Sequence, residues 1–343
     1  MGSVLVAVAL PSRFDDPLQT PSTLTALSGQ TRVEAVAPAG GAFVAVGPRG
    51  HILLHTAGND QWKQVATPVS TDLVAVSFPS AKQGWAVGHD GVVLHSIDAG
   101  VSWHEQLNGR TAFDAMLRFY QARAREGDSG AQVCVKRLER IAAQAVAWPF
   151  LDVWFRNDDE GYIVGAFGLI MKTSDGGKSW QPLLDRMDNP KHYHLYSIEG
   201  GHAGIFIAGE QGLLMKLDAT SGRFEALKTP YSGSYFGVAM TGSDVVIYGL
   251  RGHAFVSGDQ GVNWQKLETG TDVGIAGAAV LPDHDVVLAA QDGSLLRVKH
   301  GDHTVVRIGN VQRQVFGVSA AGADQLAVAT DGGPEFFKIG TSR

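Results

Sequence analysis

Cysteine is almost absent. With Cys134 alone, no intrachain disulfide, cysteine-based zinc site or CxxC redox pair can form. Long apolar runs are missing too: nothing approaches the roughly 18–20 residues that span a bilayer, and the longest run near the start is Val4–Leu10. That run reads either as the tail of a secretory signal or as an ordinary leading segment, because Met1–Ser3 supplies no basic stretch before it. Charged residues make up only 18% and the net charge is −6, without the clustered Lys and Arg of a nucleic-acid surface, so nucleic acid is excluded as a partner. No phosphate-binding glycine loop, nucleophile elbow or HExxH motif occurs. What is plentiful is glycine, 43 residues against 13 prolines, which with 44% hydrophobic residues points to a folded all-β chain of short strands and tight turns.

The glycines are periodic. Pairs recur at Gly47/Gly50, Gly88/Gly91, Gly165/Gly168, Gly209/Gly212 and Gly249/Gly252, then as Ala290/Gly293 and Ala329/Gly332. Successive first positions differ by 41, 77, 44, 40, 41 and 39 residues, so seven units share a period near 40 and one step is too long by about a unit. Such a period, with alternating apolar strands between glycine turns, predicts a seven-bladed β-propeller of four-stranded blades. Residues 1–22 form an N-terminal segment, a signal-peptide remnant or an ordinary leader, and 23–343 the single propeller. In unit two the strands read Leu73–Phe78 (A), Gly84–Val87 (B), Val92–Ser96 (C) and Ser102–Leu107 (D). The last unit stops after strand C, and Thr23–Leu27 falls where it would supply the missing strand D and close the ring.

The long step holds an insert, 109–147, between blades two and three. Ala115, Leu117, Arg118, Gln121, Ala122 and Arg123, then Leu138, Ile141, Ala142 and Ala145, predict two short helices broken at Glu126–Gly130. The insert joins a strand D to a strand A, so it should lie on the face that carries the turns between strands B and C, hereafter the BC face. It holds seven basic and four acidic residues, a basic flap that could dock an acidic segment of a partner, or a solvated helix face.

A second motif, SxDxGxxW, occupies the CD turns at Ser96–Trp103, Thr173–Trp180 and Ser257–Trp264. Asp98, Asp175 and Asp259 should accept backbone N–H bonds within each turn. Gly100, Gly177 and Gly261 allow the bend, and Trp103, Trp180 and Trp264 pack between blades. These are structural Asp-boxes, expected on the face opposite the BC turns.

With the Asp-boxes, the VGxxG turns and the run Gly84-Trp85-Ala86-Val87-Gly88-His89-Asp90-Gly91, the chain resembles the photosystem II stability and assembly factor family, above all its non-photosynthetic bacterial relatives. Gly161–Gly165 and Thr173–Trp180 carry the likeness into blade three, and it extends from Asp16 to Gly340. The resemblance implies a non-catalytic propeller that binds a protein, a membrane-protein client or a transport-complex subunit, with export to the periplasm. A cytoplasmic location stays open because the signal is incomplete.

Candidate binding residues on the BC face are Arg49, His89, Asp90, Phe167, Glu210, Gln211, Arg251 and Asp292, joined by Arg118, Arg137 and Arg140 of the insert. The cluster Asp185, Asp188, His192, Tyr193, His194 and Tyr196 lies between blades three and four. Its lone HxH, His192 and His194, reads as surface, so no metal and no cofactor are expected. The alternative is an Asp-box glycoside hydrolase, sialidase-like or endoglucanase-like. Arg49 and Arg251 leave a sialidase arginine cluster short, and a two-carboxylate mechanism would draw on Asp185 or Asp188 with Glu210. The sequence predicts a monomeric, non-enzymatic binding propeller.

Overall fold

The paired glycines sit where backbones meet. A Cβ on Gly47, Gly88, Gly165, Gly209 or Gly249 would press on the carbonyl just before strand A of its own blade, at Arg32, Asp72, Pro149, His194 and Ser234 respectively. A Cβ on Gly50, Gly212 or Gly252 would strike the carbonyl of Val69, Tyr231 or Thr271, in the connection to the next blade. The period is therefore a steric record of one chain crossing another at the same corner of successive blades. Between each such pair the second intervening residue is left-handed: Arg49, Asp90, Phe167, Gln211 and Arg251 have φ of 58°, 54°, 57°, 51° and 57°. This conformation costs a non-glycine residue about 1 kcal/mol or more.

The structure is a computed structural model describing residues 15–59, 61–142 and 148–340. Val4–Leu10 and Ala145 lie outside the described residues. Seven antiparallel sheets form a ring in which each strand A packs beside the next, and Ala35–Ala39 of blade one meets Val315–Ala320 of blade seven. Blade two comprises Leu73–Ser77, Gly84–Gly88, Val93–Ser96 and His104–Leu107, within two residues of the expected bounds. Strand B of blades two, three and five is buried along its whole length, as expected of strands covered by neighbouring blades.

Six blades have four strands, and blade seven has three among the described residues: Val315–Ala320, Gln325–Thr330 and Gly333–Lys338. Thr23–Leu27 is not the missing strand. It runs beside strand D of blade one (Lys63–Val65), where Ser22 N–H donates to Thr67 O at 3.1 Å and Gln64 bridges Thr23 O at 3.0 Å and Thr25 N–H at 2.8 Å. The ring closes instead where Ala35–Ala39 packs beside Val315–Ala320, and Val33 N–H, just before strand A of blade one, donates to Thr330 O at the end of strand B of blade seven at 3.1 Å. The outer strand of blade seven carries Pro334, Glu335 and Lys338, residue types that discourage pairing by another chain.

The insert forms α1 (Gly109–Arg125) and α2 (Ser129–Ala142) on the BC face, as the connectivity required. Asn108 caps α1, accepting from Arg110 N–H and Thr111 N–H at 3.0 and 3.1 Å. Far from a loose flap, the helices belong to the core: Met116, Tyr120, Cys134 and Leu138 pack in one cluster with Phe150, Ile163 and Leu184 of blade three. The Tyr120 hydroxyl donates to Asp185 Oδ1 at 2.9 Å and accepts from Leu184 N–H at 2.8 Å, while Arg123 pairs with Asp128 at 2.6 Å and Asp185 at 2.7 Å.

The Asp-boxes have the expected geometry. Asp175 Oδ1 accepts from Ser179 N–H and from the Thr173 hydroxyl, each at 2.9 Å, and Oδ2 accepts from the Ser179 hydroxyl at 2.6 Å. The Ser179 bonds hold its carboxyl below the usual aspartate range, and at Asp259 the Asn263 N–H does the same, to about 2. Each aspartate acts within its own turn.

Candidate functional site

Strand A of blade four (Leu195–Gly201) is preceded by a loop, Asn189–His194, that lies between α2 and the BC turn of blade three. Asn189 folds the loop on itself, accepting from Tyr193 N–H and donating to Tyr193 O, both at 2.9 Å. His194 then links two blades: its Nδ1 accepts from Phe167 N–H at 2.7 Å and its own N–H donates to Glu210 Oε2 at 2.8 Å. An acceptor Nδ1 fixes the neutral tautomer with its proton on Nε2.

Aromatic rings extend from this corner toward the ring axis. Phe167 meets His194 edge-on at 4.9 Å, His194 meets Tyr196 at 6.3 Å, and Tyr196 meets Phe236 of blade five at 5.8 Å. Tyr193 donates to Gln211 Oε1 at 3.1 Å, and Lys191 lies 5.5 Å over the Tyr193 ring.

On the insert side stands Arg137, only 6% exposed. Its guanidinium donates to the Phe167 carbonyl, and no carboxylate among the described residues acts on it; burial lowers its proton affinity, and Arg140 adds to that. His192 is pushed below the usual histidine range by burial and then by Arg137 and Arg140. A buried cation whose only partner is a carbonyl is costly, since buried charges normally come paired.

The structure thus gathers Phe167, Glu210, Gln211, Arg137 and Arg140 around one corner. Arg49, His89, Asp90, Arg251 and Asp292 share the BC face but stand on other blades. Asp90 accepts from the Thr71 hydroxyl at 2.6 Å, and Asp292 from Ser294 N–H at 3.0 Å. Arg118 is exposed on α1. Two of the insert's seven basic residues are in ion pairs, Arg110 with Asp16 at 2.6 Å and Arg123 as above. The sequence reading missed Asn189, Lys191 and Phe236. It also missed the burial of Arg137, although Arg137 stands three residues after Cys134 and four before Ile141, on the apolar stripe of α2.

The carboxylates suggested for hydrolysis are engaged elsewhere. Asp185 is held by Tyr120 and Arg123, and Asp188 by Arg223 at 3.4 Å.

A second pair of carboxylates, Asp152 and Glu199, lies on the inner strands of blades three and four. Glu199 lines a cavity of about 400 Å³ at the far end of the central channel, walled by small residues such as Gly201, Ala278 and Ser319. Burial, followed by the Asp152 charge, pushes the Glu199 carboxyl up to about 8, and burial pushes Asp152 up to about 6, with no cationic side chain among the described residues near either to offset it. The folded chain therefore holds a Glu199 proton that the unfolded chain releases near its ordinary 4.5. That contribution to stability is complete below the unfolded value and is lost as pH rises through about 8. Glu199→Gln should gain on the parent between pH 5 and pH 9 by about 1–3 kcal/mol. Denaturant unfolding at both pH values measures this, and a difference independent of pH would contradict it.

Comparison with known proteins follows this geometry. The profile of the family described as photosynthesis system II assembly factor YCF48 matches residues 140–265. The chain is 31% identical over 80 residues to the chloroplast photosystem II stability/assembly factor HCF136 of Oryza sativa subsp. japonica, 23% of this chain and 18% of that one. It is 24% identical over 179 residues to the photosystem II assembly protein Ycf48 of Synechococcus sp. (strain JA-3-3Ab), 52% of this chain and 43% of that one. Each match thus covers less than half of the curated relative. Among solved structures, YCF48 bound to D1 peptide superposes with a TM-score of 0.65 at 16% identity, covering 96% of this chain and 99% of that one. YCF48 from Cyanidioschyzon merolae superposes with a TM-score of 0.65 at 15% identity, covering 93% and 98%.

Proposed function

We propose that this photosystem II assembly factor-like propeller is a non-catalytic binding module that seats a carboxylate-bearing peptide segment of a client protein where blades three and four meet the insert. Arg137 carries the reading: a buried guanidinium aimed at a turn carbonyl, reinforced by Arg140 and Lys191 and without a carboxylate partner among the described residues, offers a carboxylate a place to pair. The aromatic row from Phe167 to Phe236 offers apolar contacts to the rest of the segment. The names of the relatives, assembly factors and one bound to a peptide, support a client of this kind. A membrane protein or an envelope transport subunit, met in the periplasm by a monomer of this chain, belongs to the same proposal. No helix among the described residues is long and apolar enough to cross a membrane.

Fluorescence anisotropy with labelled short peptides tests it. Acidic peptides with a free C-terminal carboxylate should bind at least about tenfold more tightly than amidated, neutralised counterparts. Added salt should weaken that preference. Equal affinity for both sets, or binding of neither, would overturn the reading.

A further inference from the structure

A separate cavity of about 670 Å³ opens on the BC face of blade one, walled by Thr23, Thr31, Arg32, Arg49, His51 and Ser70 among others, with no carboxylate in its lining. It exists because the N-terminal segment runs beside blade one instead of completing blade seven. Its size and mixed walls suit a small molecule. Arg49, held left-handed at the tip of its turn, directs its backbone N–H to Asp72 Oδ1 at 2.8 Å and has no ion-pair partner among the described residues. Arg32 lies 4.0 Å over the Phe316 ring and pairs with Glu34 at 2.7 Å.

We propose that this cavity binds the phosphoryl group of a small phosphate monoester, with Arg49 as its cation and the Thr23 and Thr25 hydroxyls as hydrogen-bond donors. The charged groups around His51 are Arg49, Arg32, Glu34 and Asp72. Thr31 donates its proton to Ser28 O at 2.8 Å, so its oxygen, 3.1 Å from His51 Nδ1, accepts the Nδ1 proton. A second proton on His51 then goes to Nε2 and creates a new donor. Burial and then Arg49 keep His51 below the usual histidine range. A bound dianion offsets Arg49 and favours that protonation, so binding takes up a proton and tightens as pH falls.

The test is calorimetric titration of the full chain with glycerol 1-phosphate and with inorganic phosphate at pH 6 and pH 8, alongside flotation with phosphatidic acid vesicles. Glycerol 1-phosphate should bind saturably, at least about threefold more tightly at pH 6. Arg49→Gln, at an exposed turn tip, should weaken binding at least about tenfold with the unfolding midpoint unchanged. His51→Asn, which keeps a donor toward Thr31, should remove the pH dependence. Binding of vesicles as well as the soluble ester identifies a lipid headgroup as a source, and binding of the ester alone a free metabolite; either supports the site. No saturable binding of either phosphate or the vesicles, or binding unchanged in Arg49→Gln, would overturn it.

Discussion

Trp85→Ala should destabilise the propeller by about 3–5 kcal/mol, the range for a large aromatic removed from a packed core. Trp85 is fully buried at the seam between blades two and three. Its ring stacks on His95 at 4.4 Å and on Phe155 of blade three at 3.6 Å. Its Nε1–H donates to Gln106 Oε1 at 3.0 Å, and Gln106 in turn donates to Gly176 O at 2.9 Å, in the Asp-box turn of blade three. Truncation would leave both a cavity and a buried amide oxygen without its donor. The same seam keeps His95 neutral, burial first and then His104 pushing it down to about 4. Its share of stability is present above the ordinary histidine value and lost as pH falls toward 4, so the variant should lose less between pH 7 and pH 5 than the parent. Urea unfolding at the two pH values measures both effects. A loss below about 1 kcal/mol would mean that the seam is not a principal contact of the ring.

Arg137→Met should weaken binding of the carboxylate peptide by about 30-fold or more, because truncating one side of a buried charge pair costs about 2–5 kcal/mol. Stability should move little, within about 1 kcal/mol, since the variant removes a buried charge without a carboxylate partner and replaces it with an apolar chain of similar volume. The two readouts separate the alternatives. If Arg137 only braces the Phe167 turn, stability falls and acidic and amidated peptides weaken together. If it receives a carboxylate, stability holds and only the acidic peptide is lost.

Much of the ring was legible because its repeat records backbone sterics. A Cβ at Gly88 or Gly165 would meet the carbonyl of Asp72 or Pro149, just before strand A of the same blade, so a local pattern marks a packing constraint. The helices of the insert and their break showed in spacing for the same local reason. Ring closure did not, because pairing of Thr23–Thr25 with Gln64 depends on contacts about forty residues apart that no periodicity encodes. Of the candidate site, Phe167, Glu210 and Gln211 could be placed from the turns alone. Which of the charges is buried could not be taken from net charge: on α2, buried Arg137 differs from exposed Arg140 in the side of the helix it occupies. Asp152 and Glu199 are not among the residues expected from the sequence, although a charge amid alternating apolar positions of an inner strand is a signal in itself.

Hydrogen exchange with and without the acidic peptide tests the central assignment most directly. Binding as described should slow exchange at Ala166–Gly168, Asn189–His194, Glu210–Gly212 and along α2, and leave the Asp-box turns at Asp98, Asp175 and Asp259 unchanged. Protection confined to the Asp-box face, or none at the corner where Arg137 meets Phe167, would contradict the account.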